Sequence, residues 1–586
     1  MDPILMTVIT NRLEGVTREM GAGMLRSSRS PIFAENKDFV TAVFDRHLRL
    51  VAQTAYIPVL MGASPFAVKA ISDHFGDDVE PGDVMILNDP YRGNNHAPDI
   101  SVVKPVFFGG ELRFWVLSRG HHADIGGGGA AGRNPHAATA WEEGLRIPPA
   151  KLYRGGAYNR DVWEIILLNV RLRNSVEGDL QCQVGACNVG EKALEQMLER
   201  YGCDSVESAM EEVLDRSEAQ MRERIAAVPD GAYHASRQLD HVLEDGPGGR
   251  PTIRVRLAVE GETLRFDFAG SDAQIPVYYN SSYANTVSSC YIGLFSTIAA
   301  DVGVNEGCMR PVEVLAPEGS LVNPREGAPT TQCTVATCAT IVEAVWMALS
   351  QAVPERVQAA WARTNAGAGT ALNRRTGKPA AFILHFAKGG GGATQGFDGW
   401  DHISPVSSMG GSRVPDPELY ELTFPHRILN YELRPDSAGA GKWRGGYGAL
   451  FSLRFNEDGS ALSVQIGSGT EETAPFGLAG GGDAAIGTVR VRSETGEETE
   501  FHRAAMHHPR GGDVAEIQSA GGGGYGDPCE RPVEAVLEDV AADLLSPENA
   551  RLQYGVAVDA ETGAADMDAT RRLRQARGTM AAAPAR

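Results

Sequence analysis

Cysteine is scarce: eight residues are scattered through a chain of 586, too few and too dispersed for a disulfide scaffold. Dense basic clusters are missing as well. Lysine and arginine number 54 against 75 acidic residues, for a formal charge of −21 at pH 7. A nucleic-acid binder needs a basic face, so no such partner is expected. No apolar run reaches the ~18 residues that a membrane-crossing helix requires. The opening stretch, MDPILMTVITNRLEG, lacks the basic start and apolar core of a secretory signal. No membrane association is expected, and the cytoplasm is the expected compartment. Two common catalytic cradles are also absent, the GxSxG elbow of serine hydrolases and the GxxxxGK[ST] phosphate loop.

Glycine and proline, by contrast, are abundant at 68 and 32 residues, well above ordinary usage. Their excess points to many ordered turns and a loop-built site. Hydrophobic residues at 42% and charged residues at 22% are values of a globular protein, and the length suits three or four domains.

Leu5, Ile9, Leu13, Val16, Met20 and Met24 recur at the spacing of one buried helical face. FVTAVFD and LRLVAQTAYI read as strands, 64–75 as a short helix, and VMILND as a buried run ending in a polar elbow. DISVVKPVFF and LRFWVLS read as strands joined at Gly109-Gly110-Glu111. From about 160 to 245 the pattern is helical, and 282–300 and 334–352 read as buried helices. Three hairpins are expected: around Gly261, around Asp458-Gly459, and within TVRVRSETGEETEFHR. PVEAVLEDVAADLL reads as a late helix, and the Ala- and Arg-rich tail after 565 is expected to fray. The fold class is α+β and multi-domain: a helical and mixed N-terminal half with a metal loop site, then a largely antiparallel β C-terminal half. The divisions expected are 1–245, 246–390, a glycine-rich 391–565 with a final helix, and a flexible tail 566–586.

The richest stretch for chemistry is NDPYRGNNHAPDI followed by SRGHHADIGGGG. His96 and Asp99 stand three apart in a loop, and the strand pair after them would return His121 and His122 to the same end. Two imidazoles and one carboxylate can bind a divalent metal and leave positions open for water or substrate. Asp89 and Asp124 could orient the histidines. The alternative for each histidine alone is an ordinary structural or surface role, and HxxD is a weak motif by itself. GGGGYG at 521–526 fits GxGxxG, but Asp527-Pro528 follows where a dinucleotide-binding helix should begin; a tight structural loop is the better reading. AGAGKWRGG reads as a turn, and the pairs Cys182/Cys187 and Cys333/Cys338 as buried thiols.

ENKDFVTAVFD, NDPYRGNNHAPDI, SRGHHADIGG, EEGLRIPP, EGDLQCQVGA, DSAGAGKWRGGYG and SAGGGGYGDP occur in this order. Through them, residues 2 to about 560 resemble the hydantoinase B / 5-oxoprolinase C-terminal-half family, which includes B subunits of ATP-dependent N-methylhydantoinases, a caprolactamase subunit and subunits of acetone and acetophenone carboxylases. The resemblance implies an A-type partner of actin/hexokinase-like fold, which binds ATP and Mg and phosphorylates the substrate's carbonyl oxygen. It implies a divalent metal, zinc or manganese, in the B-type chain, and an assembly of a heterotetramer or larger. Carried over residue by residue, it gives His96, Asp99 and His121 as ligands, with His122 able to exchange with His121. His122 and Asp124 are then candidates for taking a proton from water. Arg119 and Glu143 are candidates for substrate contact, with Lys151 near the same route. Asp436 and Arg444 flank the glycine-rich block as further candidates. One departure stands out: where the family commonly has histidine in a PVHLG-like block, this chain has Leu60. The leading expectation is a cyclic-amide hydrolase subunit. The alternatives are a subunit of an ATP-dependent ketone carboxylase and a non-catalytic scaffold.

Overall fold

The computed structural model describes residues 2–129, 133–241, 249–364, 366–559 and 562–581. The boundary expected at 245 lies outside them. The chain opens with the helix Pro3–Ser27, capped by Asp2, whose carboxylate accepts the Ile4 N–H at 2.9 Å. Proline at its first position costs nothing there, because that N–H has no intrahelical partner. Ile9, Leu13, Val16, Met20 and Met24 are fully buried on one face as their spacing predicts, with Met6 rather than Leu5 extending the stripe.

This helix and the long helix Arg173–Tyr201 cover one face of a seven-stranded sheet. Its strands are β1 (Phe39–Asp45), β2 (Leu50–Ala55), β3 (Val84–Leu87), β4 (Asp99–Phe108), β5 (Glu111–His121), β6 (Ala150–Arg154) and β7 (Ala157–Tyr158). They lie in the order β2-β1-β5-β4-β3-β6-β7, all antiparallel. The other face meets the central region, so Val40, Ala42 and Phe44 enter one core while Phe39 and Val43 enter another. Burial on both faces explains why these strands read as apolar runs.

The central region holds β8 (Gly231–Gln238), β9 (Thr252–Glu260), β10 (Thr263–Asp267) and β11 (Val312–Leu315), with β10 and β11 parallel. The helices Tyr283–Phe295 and Cys338–Leu349 lie in the same core. Here the helical reading of 160–245 needs correction. Helices occupy Arg160–Leu168, Arg173–Tyr201 and Cys203–Ala226, but Gly231–Gln238 is an edge strand on β9. GAYHASRQ buries little of itself, so its conformation comes from its neighbour and not from an apolar period.

The C-terminal half holds two antiparallel sheets, β13-β12-β16-β19 and β14-β15-β20-β17-β18. These are β12 (Ala366–Leu372), β13 (Pro379–Ile383), β14 (His426–Leu433), β15 (Ala449–Phe455), β16 (Ala461–Gln465), β17 (Thr488–Arg492), β18 (Glu498–Phe501), β19 (Ala505–His507) and β20 (Val514–Gln518). Phe382, Leu462 and Val464 from one sheet share a core with Phe451, Leu453 and Val489 from the other. The hairpins around Gly261 and within 488–501 form as expected. The one at Asp458-Gly459 does not: β15 pairs with β14 and β20, and β16 with β12 and β19. A link between the sheets of a sandwich has the same alternation and turn residues as a hairpin.

Between these sheets and the central region lies a layer of glycine-rich segments hydrogen-bonded backbone to backbone. Gly522 N–H donates to Gly446 O at 2.9 Å, Gly446 N–H to Gly391 O at 2.8 Å, Gly439 N–H to Gly522 O at 2.9 Å, and Gly524 N–H to Gly482 O at 3.0 Å. A Cβ at Gly522 would run into the Gly391 carbonyl, and one at Gly445 into that of Gly522. GGGGYG is therefore a structural segment, as expected, with no dinucleotide-type helix after it. The tail does not fray where expected: Met567–Ala581 is a helix. Arg574 donates to the Tyr554 and Arg531 carbonyls and Arg577 to that of Gln553. Alanine and arginine are strong helix formers even without an apolar period. No helix among the described residues is long and apolar enough to cross a membrane.

Candidate metal centre

Asparagines fold the loop that carries the first ligands. Asn88 donates to the Ala97 and Leu145 carbonyls and accepts from Ile147 N–H. Asn94 donates to the carbonyls of Asn88, His96 and Asp99 and accepts from the Ser101 hydroxyl. Asp99 then opens β4 directly opposite His121, the last residue of β5. Directly opposed residues share a face, so the strand pair returns the chain to its starting end as the sequence predicts.

His96, Asp99 and His121 are all buried and converge. His96 Nε2 lies 2.9 Å from Asp99 Oδ1 and 3.1 Å from His121 Nδ1, and His121 Nδ1 lies 3.2 Å from Asp99 Oδ1. His96 Nδ1 sits 2.6 Å from the Thr331 carbonyl. A carbonyl only accepts, so Nδ1 carries the hydrogen. Nε2 then presents a lone pair to the cluster. Asp99 Oδ2 and His121 Nε2 are buried without hydrogen-bond partners. Such atoms are costly unless a ligand satisfies them.

The electrostatics follow. Burial opposes charge on Asp99, but the two imidazoles hold its carboxyl well below the usual range. Burial lowers His121 to about 4. On His96 burial is outweighed by Asp99 and by the Thr331 carbonyl, so its proton affinity rises. Without a metal, a proton must hold these acceptors together. These three residues could hold a metal ion.

The neighbouring candidates take other positions. His122, one residue beyond His121, faces the opposite side, as alternation along an extended chain requires. Its Nε2 meets Gln183 Oε1 at 2.9 Å and its ring meets Phe33 edge-on. The Asp124 carboxylate accepts the backbone N–H groups of Gly126, Arg171 and Leu172, and the Arg171 guanidinium; it pins the loop after β5 to 171–172. Arg119 is fully buried and donates to the Ser101 hydroxyl, the Asn95 side chain and the Leu60 and Ala63 carbonyls. Glu143 accepts the N–H groups of Thr330 and Thr331, directly behind His96, and burial pushes it up to about 7. The structure thus brings Glu143 next to the cluster through Thr331, while Arg119, His122 and Asp124 support the walls. Leu60 is a core residue at 1% exposure. Asp89 caps Tyr91 N–H and does not orient a histidine. Lys151 pairs with Asp78 and Asp83, Asp436 accepts from Ser546 N–H, and Arg444 pairs with Asp401 and Asp539.

Sequence reasoning misses Thr331, described above, and Asp38. Asp38 precedes β1, its carbonyl accepts the His121 N–H at 3.0 Å, and burial together with the Asp99 charge pushes its carboxyl up to about 7. The signal that could have found it is register: pairing FVTAVFD with LRFWVLSRGH antiparallel sets Asp38 beside His121.

Comparison with known proteins bears on this site. The family model Hydantoinase B/oxoprolinase matches residues 2–528. The beta subunit of caprolactamase from Pseudomonas jessenii is 37% identical over 95% of this chain and 97% of its own. The crystal structure of ATP-dependent caprolactamase from that organism superposes with a TM-score of 0.91 at 36% identity, covering 98% of this chain and 100% of the matched one. The putative D-/L-hydantoinase B subunit of Pseudomonas sp. (strain NS671) is 32% identical over 98% of both chains. A nucleotide-free acetone carboxylase structure shares the fold, with a TM-score of 0.91 at 21% identity over 100% of this chain and 84% of its own. Together with the converged His96–Asp99–His121 cluster, these matches place the chain in the hydantoinase B/oxoprolinase family.

Proposed function

We propose that the chain is the B-type subunit of an ATP-dependent cyclic-amide hydrolase, opening a ring whose carbonyl oxygen a partner subunit has phosphorylated. The observation that carries this reading is the convergence of three acceptor lone pairs, from His96, Asp99 and His121, in a buried cluster with two further unsatisfied atoms. That donor set fits zinc or manganese. His96, Asp99 and His121 would hold the divalent ion, which when bound would lower the pKa of a bound water toward neutrality.

The chain's own groups supply position and charge. The Thr331 carbonyl fixes the His96 tautomer, and Glu143 fixes Thr331. Asp38 is a further carboxylic acid near the cluster, its proton affinity raised by burial and by the Asp99 charge. Amide resonance makes an unactivated lactam carbonyl a poor electrophile. O-phosphorylation gives an imidate that adds water at carbon, the tetrahedral adduct opens by C–N cleavage with a proton going to nitrogen, and the resulting acyl phosphate is hydrolysed to carboxylate and phosphate. Two relatives are themselves subunits, which supports a multi-subunit complex. In our reading the partner is A-type and holds ATP and Mg, and the assembly is a heterotetramer or larger. We place it in the cytoplasm, in keeping with eight free cysteines, six of them buried.

The test is to copurify the chain with an A-type partner and assay ATP-dependent opening of hydantoins, 5-oxoproline and lactams, with metal analysis of the same sample. Bicarbonate-independent ring opening, lost in His96→Ala within an intact complex, is expected. Strict dependence on bicarbonate, or full turnover in His96→Ala, would sink the reading.

A further inference from the structure

The glycine run after β5 and the segment behind His96 meet at one residue. Glu143 ends the four-residue helix Ala140–Glu143 and is 1% exposed. Backbone hydrogen bonds pin its neighbours to the run that follows His121. Gly128 N–H donates to Glu142 O at 3.0 Å, and Leu145 N–H to Ile125 O at 2.8 Å. A Cβ at Gly127 would lie 2.5 Å from the Glu143 carbonyl, and Gly127 has a φ of +72°, so glycine permits this approach where a side chain would not.

The Glu143 side chain reaches the other way, into the central region. Oε1 accepts Thr330 N–H at 2.8 Å and Thr331 N–H at 2.6 Å, and Oε2 accepts Thr330 N–H at 2.9 Å. The next carbonyl along that chain, the one of Thr331, lies 2.6 Å from His96 Nδ1. One residue therefore spans both arms of the cluster: its backbone is fixed to the loop after His121, and its carboxylate to the segment that orients His96. Further contacts close the same junction. Ala140 N–H donates to Gly327 O at 2.9 Å, the Tyr91 hydroxyl donates to Ala328 O, and Arg146 pairs with Glu326 at 2.7 Å. Among the described residues no cation pairs with the Glu143 carboxylate; two backbone amides hold it.

We infer that Glu143 is a positioning residue of the metal centre. It ties the arm carrying His121 to the carbonyl that aims His96, and so sets the approach of the two imidazoles, 3.1 Å between His96 Nε2 and His121 Nδ1. The inference rests on the metal centre of the reading above and reassigns Glu143, which the sequence offered as a substrate contact. Glu143 touches no ligand atom and acts through Thr331. Hydrogen bonds behind a ligating histidine fix its ring orientation and tautomer, and losing them weakens metal binding.

The full-length chain is stripped of metal and titrated with cobalt(II) against a chelator, and the cobalt-loaded protein is read by its visible absorption. Glu143→Ala should bind cobalt about 10- to 100-fold more weakly than wild type, with an altered absorption envelope. Glu143→Gln keeps an oxygen where Oε1 stands and should recover most of the affinity. Glu326→Ala removes an exposed contact from the same junction and should match wild type. In the complex at saturating metal, Glu143→Ala should lower kcat and leave KM within about twofold.

Equal cobalt affinity and absorption in wild type and Glu143→Ala overturn the proposal, as does a Glu143→Gln no tighter than Glu143→Ala. A loss in Glu326→Ala as large as that in Glu143→Ala would assign the effect to the junction as a whole. A raised KM at unchanged kcat would return Glu143 to the substrate. Either result overturns the proposal too. If Glu143→Ala does not fold, Glu143→Asp, shorter by a methylene, stands in: it should also bind cobalt more weakly, and wild-type affinity there overturns the proposal. Wild type that binds no cobalt overturns the metal reading and this inference together, whereas a cobalt-binding wild type matched by Glu143→Ala overturns this inference alone.

Discussion

Replacing Asp124 by asparagine separates scaffolding from chemistry at this site. The fully buried carboxylate accepts Gly126 N–H at 3.0 Å and Arg171 Nη1 at 2.9 Å on one oxygen, and Leu172 N–H at 3.0 Å and Arg171 N–H on the other. Asparagine keeps one acceptor oxygen and turns the other into a donor facing donors. Two hydrogen bonds to a charged group are lost, at ~1.5–3 kcal/mol each, or about 3–6 kcal/mol. The Arg171 side chain is 47% exposed, so an amide that keeps its oxygen toward the two backbone donors loses the weaker pair. The expected cost is therefore near the lower end, about 3 kcal/mol. Hydrogen exchange at the Gly126 amide, which loses its acceptor, should accelerate about a hundredfold. Metal content should be unchanged, and kcat per metal-loaded complex should change less than about threefold. A proton-accepting Asp124 predicts the reverse: unchanged exchange with kcat down by ~10² or more. That result would refute the structural role argued here.

Chelation should lower the melting temperature of wild type. Restoring zinc or manganese at a hundred times its Kd should return about 2.7 kcal/mol of stability, and His121→Ala should show no such response; chelator-insensitive melting contradicts the metal site. Glu343, at 1% exposure, pairs with Arg363 at 2.7 Å and Arg237 at 2.7 Å. Glu343→Gln removes the carboxylate the two guanidiniums share, leaving Arg363 with Asp240 at 3.1 Å and Arg237 with the Ala474 carbonyl at 3.0 Å, so denaturant melts should show a loss of about 3 kcal/mol; an unmoved midpoint refutes this. Burial lowers His426 to about 3, against an unfolded value of ~6.5. The unfolded state binds the extra proton, so stability is complete above ~6.5 and falls as pH drops toward 3, by up to ~1.4 kcal/mol per pH unit. His426→Asn should flatten that slope, and a slope equal to wild type shows that another group carries it.

Local chemistry was legible in the sequence; distant pairing was not. The first helix declared itself through its period and its Asp2-Pro3 start, and 64–75 forms the expected helix. The ligand cluster could be read because β4 and β5 join through a two-glycine turn that returns Asp99 to His121. The roles of His121 and His122 could not, since choosing between adjacent residues requires knowing which face of the sheet is which. The pairing of β16 is not legible locally, because its neighbours, β12 and β19, lie far away in sequence. Thr331 reaches the site from a loop with no periodicity to place it.

The stacked glycine segments have a thermodynamic consequence. Carbonyls and amides meet there with no apolar side chain between them, so the layer is held by polar contact rather than by exclusion of water. Exposing peptide surface on unfolding lowers the heat capacity, whereas exposing hydrocarbon raises it. The seam between the sandwich and the half that holds the His96–Asp99–His121 cluster should therefore respond to temperature less steeply than the cores on either side. Cooling weakens those cores, and the seam is the element whose cohesion cooling would leave most nearly intact.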